Sequence, residues 1–269
     1  MSEAVLYDLH SHVARITLNR PKEGNVVNLE NLDQLYRHLA AAEADPECRA
    51  IVIEGRDGVF SRGMDFGFML GKSEQEGIDE GFAAPYQRAV LQIRDSTKPV
   101  VAAVDGEVLA GGTGIALACD IVVATERSTF GLSEVLFGII PAYVLPLLLE
   151  RVSFKRARYM VLSSKKLTAE EARLFGAFDE VVADDGLEKA VTGHLKRLLF
   201  ASPDALALVK RYTDTIFRER MKDAMVEASR QLSSLLREKK NTDAIKAFME
   251  GEMMPWTVRY KRPKKEARS

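Results

Sequence analysis

Two glycine-containing loops of the sequence offer backbone N–H groups that could bind a developing negative charge. Gly111 and Gly112 open an apolar helical pattern, so their N–H groups would lie at the positive end of a helix dipole. A second bend, Gly63-Met64-Asp65, follows a strand-like segment. Each loop alone is more often a tightly packed turn than a binding site. Together, two N–H donors from separate loops predict an oxyanion hole that polarises a carbonyl group and holds its enolate oxygen.

The strongest candidate for a general acid or base is Glu134. Its sequence neighbours are apolar, with Phe130 and Leu132 before it and Val135 after it. Burial among such neighbours predicts a raised pKa, which suits proton transfer near neutral pH. The structural alternative is a solvated side chain or a charge at a helix N-terminus. Asp65 is a second candidate, which either assists proton transfer or braces its loop through hydrogen bonds.

Composition argues against several other kinds of chemistry. The 38 Lys and Arg residues nearly balance the 39 Asp and Glu residues, and a net charge of −1 argues against a protein that coats nucleic acid or an anionic membrane. The four His and two Cys residues show no metal-ligand spacing, so we expect no metal site and no Cys nucleophile. The sequence has no export signal and no run of about 20 apolar residues that would span a bilayer, so we expect a cytoplasmic protein.

Strands and helices alternate through most of the sequence, and helices dominate its end. Polarity patterns predict a two-strand hairpin and four buried strands, at 5–9, 13–18, 50–54, 99–104, 120–124 and 178–182. Helical spacing predicts helices at 29–42, 85–94, 111–119, 145–152, 154–162, 168–174, 187–199, 203–217, 222–238 and 242–249. This order indicates an α/β core over residues 1–200 and a helical region over residues 201–269.

Six short motifs of the chain occur in the order found in one enzyme superfamily. They are FSRGMD at 60–65, KPVVAAVDG at 98–106, AGG at 110–112, ACD at 118–120, FGLSE at 130–134 and GIIP at 138–141. On these motifs the chain resembles the crotonase (enoyl-CoA hydratase/isomerase) superfamily from about residue 5 to residue 255. The resemblance implies a spiral of ββα units and a C-terminal helical region used for trimer contacts. It also implies an oxyanion hole, whose donors here would be the N–H groups of Met64 and Gly111.

One position departs from the usual hydratase pattern. Typical hydratases of this superfamily carry Gly-Gly-Gly-Cys-Glu at this helix start, and that Glu is one of two carboxylates that handle water and a proton. Here Gly114 stands at the position of that Glu, whereas the second carboxylate is present as Glu134. Hydration by two carboxylates is therefore not expected. A single carboxylate above an oxyanion hole is enough for α-proton transfer with elimination or isomerisation.

A narrower resemblance involves LSEVLFGIIPAYVLP at 132–146, AGGTG at 110–114, GMDF at 63–66 and PW at 255–256. These segments are similar to the dehydratases of polyketide β-branching cassettes. The resemblance implies dehydration of a 3-hydroxy-3-methylglutaryl (HMG) group on an acyl carrier protein to a 3-methylglutaconyl group. It further implies an HMG-synthase homologue and a decarboxylase as pathway partners, and a homotrimer or hexamer. No resident cofactor is implied, because the substrate arrives on the phosphopantetheine of a carrier protein or of coenzyme A.

The substrate must also be held at its acyl chain and at its distal carboxylate. The residues expected at the acyl pocket are Gly112, Gly114, Ala142 and Tyr143, and the alternative for Tyr143 is a packed aromatic side chain at a helix start. Arg62 and Lys72 are the candidates to pair with the distal carboxylate, and the alternative for each is a solvated surface position. The basic tail at 261–268 is either a solvated chain end or a contact for an acidic carrier protein.

Two alternative functions remain open from the sequence. The first is an enoyl-CoA isomerase or hydratase acting on free CoA thioesters, which also needs an oxyanion hole and can work with one Glu. The second is a non-catalytic scaffold with the same fold, which the missing first carboxylate motivates.

Overall fold

A β-hairpin begins the chain in the computed structural model, which describes residues 3–64, 78–134, 141–218, 240, 252–253 and 258–259. β1 (Val5–His10) pairs antiparallel with β2 (Val13–Leu18), as the alternating polarity predicts. Ser11 and His12 between them have φ angles of 49° and 67°. Two positive φ angles are typical of a two-residue turn whose twist matches that of the strands.

β1 and β2 are the first two strands of a six-stranded sheet, whose strand order is β1-β2-β3-β4-β6-β9. The further strands are β3 (Ala50–Gly55), β4 (Val100–Val104), β6 (Ile121–Thr125) and β9 (Glu180–Val182), and their described pairings are parallel. Ile51 and Ile53 lie in one hydrophobic layer, whereas Ala50 and Val52 lie in the other. Burial on both faces explains why these strands appear as unbroken apolar runs in the sequence.

Helices flank this sheet at close to the predicted positions. Those within the described ranges are α1 (Leu29–Ala44), α2 (Ile78–Asp95), α3 (Gly111–Ala118), α4 (Leu145–Arg151), α5 (Phe154–Ser163), α6 (Ala169–Phe175), α7 (Leu187–Phe200) and α8 (Pro203–Arg218). α2 starts earlier than predicted, because Pro85 lies inside the helix and not in its first turn. The helices predicted at 222–238 and 242–249 lie outside the described residues, and the boundary at residue 200 stays a prediction.

Side-chain caps stabilise the starts of two helices. The Asn28 side chain accepts a hydrogen bond from the Asn31 N–H and so caps α1. Thr168 and Glu171 form a reciprocal capping box at the start of α6. Among the helices that the structure describes, none is long and apolar enough to cross a membrane.

A second, three-stranded sheet was missed by the sequence analysis. β5 (Glu107–Leu109) pairs parallel with β7 (Thr129–Gly131), which pairs antiparallel with β8 (Leu167–Thr168). Strands of two or three residues are too short to show alternating polarity. β5 leads into Gly111 and β7 leads to Glu134, so this sheet positions two parts of the candidate site.

Candidate active site

The loop that carries Met64 is held by hydrogen bonds around Ser61. The Ser61 side chain is fully buried, and its hydroxyl donates to the Asn25 carbonyl oxygen at 2.8 Å. The same hydroxyl oxygen accepts a hydrogen bond from the Gly63 N–H at 3.2 Å. The Val27 N–H donates to the Gly63 carbonyl oxygen at 2.7 Å, and Val27 forms an isolated parallel bridge with Met64. These bonds fix the backbone that leads into Met64.

The loop before Gly111 lies directly against the Met64 loop. Gly63 has a φ angle of 90°, and a Cβ atom there would lie 2.7 Å from the Ala110 Cβ and 2.8 Å from the Leu109 carbonyl oxygen. Both observations explain why this position is glycine. A Cβ atom on Gly111 would lie 3.2 Å from the Met64 Sδ. The structure therefore brings the two predicted donor residues together.

The backbone at the start of α3 is strained. Ala110 has a φ angle of 45° and a ψ angle of −120°, a conformation that costs a residue with a Cβ atom about 1–3 kcal/mol. Its N–H donates to the Gly131 carbonyl oxygen at 3.0 Å, which ties the start of α3 to β7. The first N–H groups of a helix lack a carbonyl partner one turn before them, so the start of α3 is suited to bind an anionic oxygen.

Gly112 and Gly114 both lie buried in α3, but their surroundings differ. A Cβ atom on Gly112 would lie 2.6 Å from the Ser61 Cβ, so the missing side chain permits close packing of the two loops. Gly114 lies beside the side chains of Tyr86 and Val144. The acyl-pocket role of both glycines stays a prediction.

Glu134 follows β7 and is half-buried. Its Oε2 atom is buried and has no hydrogen-bond partner among the residues that the structure describes. Burial raises the pKa of this carboxyl group, against a smaller opposite effect from the N–H groups of Glu134 itself and Ser133. The direction agrees with the prediction from the apolar neighbours. A carboxyl group of this kind exchanges its proton closer to neutral pH than an exposed Glu does.

Tyr86 is a site residue that the sequence analysis missed. It lies on α2 with 3% of its surface exposed, and its hydroxyl donates to the Gly111 carbonyl oxygen at 2.8 Å. A Cβ atom at position 114 would overlap the Tyr86 hydroxyl oxygen. Burial, and then the charge of Glu134, raise the pKa of Tyr86. In the sequence Tyr86 occupies an apolar position of an amphipathic helix, so no local signal distinguishes it from a core residue.

The predicted pocket residues Ala142 and Tyr143 lie on the exposed side of this centre. Tyr143 is 42% exposed, and its ring forms a T-shaped pair with the ring of Tyr86, with 6.4 Å between the ring centroids. Ala142 is exposed next to it. The acyl-pocket role of both residues stays a prediction.

Arg62 has a protein partner in the structure. Its Nε lies 2.6 Å from Oε2 of Glu107, while 55% of its side chain is exposed. Lys166 also pairs with Glu107, and these two cations, Lys166 first, hold the pKa of Glu107 below its usual range. A role for Arg62 in substrate binding stays a prediction. Asp65 and Lys72 lie outside the described residues.

Metal and thiol chemistry find no support in the described part of the chain. Those residues contain no group of three His, Cys, Asp or Glu side chains that could hold a metal ion. Cys48 and Cys119 are buried free thiols. Burial raises the pKa of each thiol, which disfavours the reactive thiolate. The role of Glu134 in proton transfer stays a prediction.

The similarity to known proteins extends over nearly the whole chain. Residues 8–259 match the sequence profile of the enoyl-CoA hydratase/isomerase family. The chain belongs to this family. Within the enoyl-CoA hydratase/isomerase family, the 2,3-dehydroadipyl-CoA hydratase of Escherichia coli is 34% identical over 78% of this chain and 81% of that enzyme. The Bacillaene synthase dehydratase PksH of Bacillus subtilis is 28% identical over 91% of this chain and 93% of that protein.

The fold also agrees with solved structures of enoyl-CoA hydratase/isomerase proteins. The crystal structure of such a protein from Marinobacter aquaeolei superposes with a TM-score of 0.88 at 27% identity, over 95% of this chain and 99% of that chain. The crotonase-like α/β fold predicted from the motifs is therefore confirmed. Relatives named as a hydratase and a dehydratase within this family support a hydro-lyase type of enzyme.

Proposed function

We propose that this protein removes water from an HMG group carried on an acyl carrier protein and so forms a 3-methylglutaconyl thioester. The observation that carries the proposal is a contrast between two positions of the site. Glu134 is half-buried, and its Oε2 atom has no hydrogen-bond partner in the described part of the chain, whereas Gly114 offers no second carboxylate. One carboxylate beside two backbone donors suits α-proton transfer followed by elimination. The likeness to a relative named as a dehydratase supports the same direction of reaction.

The proposed reaction runs in two steps that use these groups. The N–H groups of Met64 and Gly111 bind the thioester oxygen, and ionised Glu134 takes the α-proton, so that an enolate forms with its oxygen in the hole. The enolate then re-forms the thioester carbonyl group, and the electron pair of the α-carbon forms the C=C bond to the β-carbon. At the same time the C–O bond between the β-carbon and its hydroxyl group breaks. Glu134 returns its proton to the leaving oxygen, so water departs and Glu134 is ionised again.

The proposal includes an acyl carrier protein as the partner that delivers the substrate. Phosphopantetheine carries the thioester, so the enzyme uses no resident cofactor in this scheme. An HMG-synthase homologue would supply the substrate, and a decarboxylase would consume the product. We assign the distal carboxylate of the substrate to Arg62, which would exchange its ion pair with Glu107 for the substrate. The two free thiols suit the reducing cytoplasm that we expect for this pathway.

A second candidate is hydration or isomerisation of free enoyl-CoA thioesters. The observation that favours it is the name of the Escherichia coli relative, a CoA thioester hydratase at 34% identity. The same hole and the same carboxylate would serve this reaction. The two candidates differ in the carrier and in the acyl group, so a substrate comparison separates them.

Incubation of the protein with HMG-loaded carrier protein, with HMG-CoA and with crotonyl-CoA makes this comparison. We expect the carrier-bound HMG group to lose the mass of one water molecule in mass spectrometry, faster than HMG-CoA does. Turnover of crotonyl-CoA with no loss from the carrier-bound substrate would support the second candidate and contradict the first.

The Glu134→Gln variant tests the catalytic assignment. We expect dehydration to fall about 100-fold or more, because the variant can neither take nor return the proton. Glu126→Gln is the matched control, since Glu126 is an exposed residue before β7, and it should behave like the unmodified protein. An unchanged yield with Glu134→Gln would mean that another group transfers the proton, and it would remove the catalytic assignment of Glu134.

A further inference from the structure

The space at position 114 of the helix α3 is already occupied. A Cβ atom on Gly114 would overlap the Tyr86 hydroxyl oxygen and lie 3.1 Å from the Tyr86 Cζ. Tyr86 also borders the oxyanion hole, because its Cε2 would lie 3.5 Å from a Cβ atom on Gly111. A phenol oxygen, contributed by α2, therefore fills the space beside Gly114 that a side chain at position 114 would need.

The hydrogen-bond geometry determines what this phenol can offer a ligand. A Tyr hydroxyl has one proton to donate, and the Tyr86 hydroxyl gives it to the Gly111 carbonyl oxygen at 2.8 Å. Toward a further group the same oxygen acts as an acceptor. Because burial and the charge of Glu134 raise its pKa, Tyr86 remains a neutral phenol and does not serve as a base.

Glu134 complements this acceptor. Its charge is near enough to contribute to the raised pKa of Tyr86, yet its Oε2 atom has no hydrogen-bond partner within the described ranges. When it carries the α-proton, Glu134 is a donor. A hydroxyl group is the simplest ligand that needs one donor and one acceptor at the same oxygen.

We propose that Tyr86 accepts a hydrogen bond from the β-hydroxyl of the substrate while Glu134 protonates the oxygen of that hydroxyl. This inference rests on the proposed function, which supplies a 3-hydroxyacyl thioester. The bond that breaks is the C–O bond described above, and Glu134 delivers the proton. Tyr86 keeps the hydroxyl, and then the departing water, aligned with Glu134. Tyr86 is thus a residue that selects 3-hydroxyacyl groups over acyl groups without the hydroxyl.

The first experiment measures binding without turnover. Pantetheine thioesters of HMG and of 3-methylglutarate, which lacks the hydroxyl, are titrated into Glu134→Gln and into the double variant Tyr86→Phe/Glu134→Gln. We expect the first variant to bind the hydroxylated ligand about 3- to 10-fold more tightly, the effect of one net hydrogen bond. The double variant should lose this preference. A preference that is equal in both variants, or absent in both, would overturn the role of Tyr86.

The second experiment separates substrate contact from structural support. Exchange of the α-proton of the 3-methylglutaryl thioester in D2O needs Glu134 and the oxyanion hole but no β-hydroxyl. We expect Tyr86→Phe to keep this exchange near that of the unmodified protein and to slow dehydration about 10-fold or more. Equal losses in both reactions would mean that Tyr86 supports Gly111 and does not hold the hydroxyl. Tyr159→Phe, which changes an exposed Tyr packed against Phe175, is the control.

Failure of the proposed function gives a different result from failure of this inference. If the unmodified protein dehydrates no HMG thioester, the proposed function is wrong. The binding comparison is then repeated with 3-hydroxybutyryl-CoA and butyryl-CoA in the same two variants. A hydroxyl preference that depends on Tyr86 would still support the inference, and one that does not would overturn it.

Discussion

At Glu134, one carboxylate oxygen lies buried without a hydrogen-bond partner in the part of the chain that the structure describes. Buried polar side-chain atoms are normally paired, because an unpaired one has lost its bonds to water. The same loss raises the pKa of Glu134. A group of this kind gains reactivity at the expense of stability, which is the arrangement expected of a catalytic residue.

Replacing Glu134 by Gln should therefore raise the melting temperature, and by more at higher pH. The pKa of Glu134 is raised in the folded protein. The contribution of its protonated carboxyl group to folding stability is therefore present below the unfolded pKa and is lost as pH rises through the folded pKa. Gln does not ionise and keeps that contribution. Calorimetry between about pH 4 and about pH 8 should show a difference in melting temperature between Glu134→Gln and the unmodified protein that increases with pH. A difference in melting temperature that stays the same over this pH range would contradict the desolvation of Glu134.

The residues of the site differ in how far the sequence could predict them. Glu134 and Gly111 have local signals, an apolar segment around a carboxylate and glycines at a helix start. Tyr86 has none, since its role depends on a contact with Gly111, 25 residues later in the chain. Only packing in three dimensions reveals that its hydroxyl fills the space beside Gly114.

Among the elements, short strands hold the two donor loops together. The Ser61 N–H donates to the Glu107 carbonyl oxygen at 2.9 Å, and the Leu109 N–H donates to the Ser61 carbonyl oxygen at 3.0 Å. Ser61 thus extends the small sheet next to β5. The main-sheet strands could be predicted because their apolar runs are long, whereas β5, β7 and β8 are stabilised by neighbours distant in sequence.

Replacing Ser61 by Ala should weaken both the fold and the oxyanion hole. The variant leaves the buried Gly63 N–H and the Asn25 carbonyl without the Ser61 hydroxyl, which costs about 1–3 kcal/mol. We expect a melting temperature lower by several degrees and a slower α-proton exchange, because the backbone before Met64 loosens.

Ser128→Ala is the matched control for this variant. Ser128 is also buried, and its hydroxyl contacts Thr125 at 2.8 Å and the Val104 carbonyl oxygen at 3.3 Å. It should lose stability to a similar degree while its exchange rate, measured well below its melting temperature, stays unchanged. If both Ser variants exchange the α-proton at the unmodified rate, Ser61 does not position Met64.

At the scale of the whole molecule, one exposed helix face carries unusually apolar side chains. On α5, Phe154 is 58% exposed and Leu162 is 71% exposed, with Arg158 between them. These residues follow one another at four-residue spacing, so they share a face of the helix. Leu174 on α6 is 57% exposed as well. Exposed apolar side chains of this size are typical of contacts between subunits.

Replacing Leu162 by Asp should separate the subunits of the expected homotrimer or hexamer. The change places a charge in an apolar contact, where it would lose water without gaining a partner. Light scattering after size exclusion should give about three or six chain masses for the unmodified protein and about one for the variant. Because Leu162 is exposed in the single chain, the far-ultraviolet circular dichroism spectrum should stay unchanged, which excludes unfolding as the cause. A variant that keeps the mass of the unmodified assembly would show that this face of α5 makes no essential subunit contact.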